Sequence, residues 1–69
     1  MLKFAIKLTK DNDSTILAVF DDKDTAMSAG SEYRKQYSWD MGLLSCILAD
    51  FDENDKIGGS GYNLIHSWM

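Results

Sequence analysis

Thr15-Ile16-Leu17-Ala18-Val19-Phe20, followed at once by Asp21-Asp22, is the stretch that decides the fold. The run is uncharged, rich in β-branched residues and too short for a helix of ordinary length, so it reads as a β-strand buried on both faces. Alternation sends Leu17 and Val19 to one side of the sheet and Ile16 and Phe20 to the other. The aspartates end the strand and begin a helix. A carboxylate at Asp21 or Asp22 can accept the free backbone N–H groups of a first turn, and Asp24 suits the positive end of the helix dipole. Downstream, Ala26, Ala29 or Gly30, Tyr33 and Tyr37 recur at helical spacing with Met27 beside them, an apolar stripe that faces the sheet. Gly30 costs about 1 kcal/mol relative to alanine inside a helix, and on the stripe it lets helix and sheet approach closely. Arg34 and Lys35 fall where a C-terminal turn favours positive charge. Ser38-Trp39-Asp40-Met41-Gly42 ends the helix, with Gly42 as its left-handed stop or a turn residue.

Outward from this centre the pattern is β. Leu2, Phe4, Ile6 and Leu8 alternate with Lys3, Ala5, Lys7 and Thr9, the period of a strand with one buried face. The polar stretch 10–14 reads as a hairpin loop. Residues 43–51, LLSCILADF, form a third strand too apolar to leave one face in water, and 52–56 form the turn of a second hairpin. Ile57 begins the return, Gly58-Gly59-Ser60-Gly61 reads as a bulge or loose loop, and 62–69 alternate as the last strand. The order β-β-α-β-β predicts one small α+β domain over residues 1–69. It has two layers, a four-stranded, mostly antiparallel sheet with one helix across one face. One helix covers one face only, so the doubly apolar strand 15–20 leaves the second face in need of cover.

Composition bounds the function. A chain of 69 residues builds a core with little stability to spare, and 45% apolar residues exclude a disordered composition. The net charge is −4, of which residues 41–69 carry −3. That balance argues against nonspecific binding to nucleic acid or to an anionic membrane. A single cysteine, lysines inside the first apolar run and the lack of a membrane-length apolar stretch predict a reducing, cytoplasmic location.

No motif builds a convincing catalytic or metal site. Asp50–Ile57 resembles the first half of an EF-hand calcium loop, with oxygen-bearing side chains at alternate positions. Asp55 stands where the turn glycine belongs and Gly61 where the bidentate glutamate belongs, so the segment reads as a hairpin turn. Cys46 lies in an apolar strand, where a buried inert thiol is the usual state, and His66 is the only histidine. Gly58–Gly61 precedes a strand and lacks a P-loop lysine. Tyr62, Leu64, His66 and Trp68 alternate on one face of the last strand without a basic neighbour in it, which suits core packing or a protein interface better than stacking on nucleic acid.

These features predict a noncatalytic protein–protein interaction module, with no cofactor and no metal, that forms a homodimer through the open sheet face. Ile16, Phe20, Trp39, Tyr62 and Trp68 are the expected interface residues, with Lys3 and Lys7 towards the rim. A different function class is the alternative. In size and charge alone the chain resembles small acidic inhibitors encoded by phage and other mobile elements, anti-CRISPR proteins among them. Asp50, Asp52, Glu53 and Asp55 would then occupy a nucleic-acid-binding groove of the target.

Overall fold

A computed structural model of the chain describes residues 1–54 and 56–68, with residues 39 and 58–60 described by their backbone alone. The alternating segment Leu2–Lys10 forms β1 and turns at Asp11-Asn12 into β2, Asp13–Phe20. Asp11 takes φ +56° at this turn, a left-handed conformation that aspartate tolerates better than most side chains. Asp22 caps the helix α1, Lys23–Gln36: its Oδ2 accepts the backbone N–H of Thr25 at 2.8 Å and the Thr25 hydroxyl at 2.9 Å. The helix stops at Gln36, short of Gly42. Tyr37 is already extended, and Arg34 Nη1 closes the end by donating to the Tyr37 carbonyl at 2.9 Å. A 3-10 turn, Trp39–Met41, leads to Gly42 and then β3, Leu43–Phe51.

Gly42 serves the entry to the sheet and not the end of the helix. Its φ is +134°, and a Cβ there would stand 2.8 Å from the Thr9 carbonyl oxygen. The last strand, β4, runs Ile57–Trp68, so the return that begins at Ile57 continues without a break into the segment from Tyr62. Between the pairs Phe51↔Ile57 and Ala49↔Tyr62, residues 58–61 stand opposite the single Asp50. The expected bulge therefore lies within the strand.

The strands form one antiparallel sheet in the order β2-β1-β3-β4. Two one-residue bulges lie at the same level. The register passes from Ile6↔Ala18 to Lys7↔Ile16, leaving Leu17 extra in β2. It passes from Cys46↔His66 to Ile47↔Leu64, leaving Ile65 extra in β4. Ile6 and Cys46 are themselves partners, so the bulges flank one central rung. An extra residue resets the alternation of side chains along its strand. In β2, Leu17 and Phe20 face the helix while Ile16 and Val19 face away. In β4, Ile65 and Trp68 face the helix and Tyr62 and Leu64 share the other side, opposite Ala49 and Ile47.

This overturns the grouping read from plain alternation. Phe20 and Trp68, expected at an open interface, are packed between sheet and helix around Ile6, Ala26, Leu44 and Cys46. Trp68 is the residue that Gly30 admits. A Cβ on Gly30 would lie 2.1 Å from Cη2 of the indole, inside its van der Waals envelope.

Gly30→Ala is therefore expected to destabilise the chain, although alanine gains about 1 kcal/mol in helix propensity. Overpacking against the ring costs about 1–3 kcal/mol. Urea denaturation should show a net loss in the native background and a gain in a Trp68→Leu background. The same effect in both backgrounds would mean that the ring does not set the helix–sheet distance.

Candidate interaction surface

The face turned away from α1 has a buried centre and an exposed margin. Ala5, Ile47, Ala49 and Phe51 form the centre, with Ile16 and Val19 packed against it. Ile47 has no exposed surface, although no helix covers it. The register supplies a cover. Lys7 stands in the row of Ser45, and Tyr62 in the row of Ala49, with Ile47 between them on β3. The Lys7 ammonium reaches Tyr62, donating to its hydroxyl and lying 3.9 Å from the centre of its ring. Two strand spacings, about 9.6 Å, separate the β1 and β4 backbones, so the lysine stem and the tyrosine ring bridge the sheet diagonally over Ile47. Lys7 is 8% exposed as a result. It lies on a central strand and not at the rim, and its methylenes serve as apolar cover while the charge sits on an aromatic face.

At the margin, Leu43, Ile57, Tyr62 and Leu64 are the exposed large apolar residues that register assigns to this side, with Tyr62 47% and Leu64 62% exposed. Of the residues expected at an interface, Ile16 and Tyr62 are on this face, Phe20 and Trp68 are not, and the side chain of Trp39 lies outside the described residues. Leu64 belongs to the surface although it was read only as one member of the aromatic row. Its spacing of two from Tyr62 was the available signal.

Among the described residues, the acidic side chains other than Glu32 on the helix lie at the two ends of the sheet and not on one face. Asp21, Asp22 and Asp24 share one end with Asp50, Asp52 and Glu53, because β2 and β3 both finish where β1 starts. Lys3 stands among them, 3.9 Å from Asp21. Asp11, Asp13 and Asp40 lie at the opposite end. Asp50 pairs with the amino group of Met1. Asp52 is engaged within its own loop, where Oδ1 accepts the backbone N–H groups of Asn54 at 2.8 Å and Lys56 at 3.0 Å. Those two hydrogen bonds hold the Asp52 carboxyl below the usual carboxylate range. Glu53 is exposed, and Asp55 lies outside the described residues.

Cys46 and His66 are cross-strand partners. The thiol is fully buried, and burial pushes its pKa up, away from the thiolate that a nucleophile needs. His66 is exposed and meets Trp68 edge-on at 4.8 Å between ring centroids. Among the described residues no group of three or more His, Cys, Asp or Glu side chains is placed to hold a metal ion, and no helix is long and apolar enough to cross a membrane. No known family, curated protein or solved structure matches the chain.

Two outcomes follow from these environments. Cys46 should react with a thiol reagent only at the rate of unfolding, and rapid stoichiometric labelling without denaturant would place it at the surface. The second concerns acid. Hydrogen bonds from Thr25 hold Asp22 below the usual range, and the Ser38 hydroxyl does the same for Asp40. A carboxylate depressed in the folded state stabilises fully above its unfolded pKa, and that contribution is lost as pH falls through the folded value. The urea midpoint should thus hold level down to about pH 5 and fall below about pH 4, with a shallower fall in Asp52→Ala. A midpoint that rises on acidification would contradict these hydrogen bonds.

Proposed function

We propose that the chain is a small noncatalytic interaction module that binds a protein partner through the helix-free sheet face along β4. The exposed pair Tyr62 and Leu64, beside a buried apolar centre and on the same side of the sheet as exposed Ile57 and Leu43, carries this reading. Contiguous exposed apolar surface marks interfaces, and aromatic side chains supply much of their energy.

Self-association through this face was expected because its apolar centre would otherwise stand in water. Within a single chain that centre is already buried, so the burial argument for a homodimer loses most of its force. Acidic inhibition of a nucleic-acid-binding groove draws less support, since the carboxylates are split between the two ends of the sheet, and Asp50 and Asp52 already have partners.

Photo-crosslinking from position 64 in the native cell, with exposed position 28 on the helix as control, identifies the partner. In a titration with that purified partner, Leu64→Asp should weaken binding about tenfold or more while Ser28→Asp leaves it unchanged. Binding insensitive to Leu64→Asp and lost with Glu53→Gln would replace this reading with the acidic-inhibitor one.

A further inference from the structure

The helix-free face is apolar without being neutral. Five charged residues lie within the strands, namely Lys3, Lys7, Lys10, Asp13 and Asp50. Register puts only Lys3 and Lys7 on the side away from the helix, because Lys10 and Asp13 pair on the helix side and Asp50 stands opposite Leu2 there. A chain of net charge −4 thus presents a sheet face whose only strand charges are positive. Lys3 meets Asp21 at a corner. Lys7 stands in the middle, 8% exposed, and among the described residues its ammonium contacts only the neutral Tyr62. An ammonium has three donors, and buried cations are ordinarily paired with an anion.

We propose that this face docks the apolar stripe of an amphipathic helix flanked by acidic residues, one of whose carboxylates pairs with Lys7. The inference rests on the interaction-surface reading and names the chemistry of the partner. A single helix fits across a sheet of this width, as α1 does on the other side. Four strands span about 14 Å between their outer axes, room for one helix about 10 Å across. A second copy of this chain fits less well. A two-fold contact centred on this face brings the Lys7 ammonium of both copies to one surface to whose centre the strands bring no acid, and like charges across an interface select against that partner.

Three synthetic helical peptides with one leucine stripe, flanked by Glu, by Gln or by Lys, test this against isotope-labelled full-length chain. Calorimetry at low salt should show the Glu peptide binding about tenfold or more tightly than the Gln peptide, with the Lys peptide weakest. Its NMR shifts should centre on Lys7, Tyr62 and Leu64. The preference should vanish in Lys7→Met, which keeps the stem, and survive in Lys7→Arg. Should Lys7→Met fail to fold, loss of the preference near 0.5 M salt in the native chain gives the same result. Glu and Gln peptides bound equally well at this face would overturn the acidic partner and leave the interaction surface standing. No binding by any peptide, or shifts confined to another surface, would overturn the inference. A dimer that buries Tyr62 and Leu64 would do the same in favour of a second copy.

Discussion

One extra residue in each edge strand, beside the Ile6–Cys46 rung, governs what the two sides of this sheet are made of. Leu17 and Ile65 are those residues, and both pack towards the helix. Without them, alternation would put Phe20 with Ile16 and Trp68 with Tyr62. With them, the large rings divide. Phe20 and Trp68 go to the helix side, where Gly30 makes room for the indole, and Tyr62 goes to the other, within reach of Lys7. Bulges also bend and twist the strands that carry them, which discourages the pairing of edges that are short of charge.

The second consequence is that a two-layer fold closes its third layer with side chains. A helix-free sheet face normally needs another element or another chain. Here a lysine stem and a tyrosine ring cross β3 diagonally, and the residues beneath them, Ile47 above all, are buried in the single chain. The closure is partial. It leaves Tyr62 and Leu64 accessible along β4, so the surface proposed for a partner includes Tyr62, which also helps to cover the centre. That sharing is why the face reads as a surface prepared for a partner more than as a core left unfinished.

The fold was legible because its signals are local. Alternation in 2–9, the apolar run 43–51, the Asp22 cap and the Ala26–Tyr37 stripe each specify an element without reference to distant residues. The role of Gly30 was legible too, since a glycine on an apolar stripe has few other uses. The faces of β2 and β4 were not. A bulge is a property of the pairing between strands, and nothing within 15–20 or 62–68 marks Leu17 or Ile65 as the extra residue. Trp68 and Phe20 were accordingly assigned to the wrong side. Lys7 was placed at a rim because strand order could not be read, and its position on a central strand is what lets it reach Tyr62.

The bridge between Lys7 and Tyr62 can be measured directly. A double-mutant cycle built from Lys7→Met, Tyr62→Leu and the pair, followed by urea denaturation, isolates their interaction from the burial of either side chain. A lysine ammonium held against an aromatic ring predicts a coupling of about 0.5–1 kcal/mol. Additivity to within about 0.3 kcal/mol would contradict it, and Ile47 would then owe its burial to something other than these two side chains.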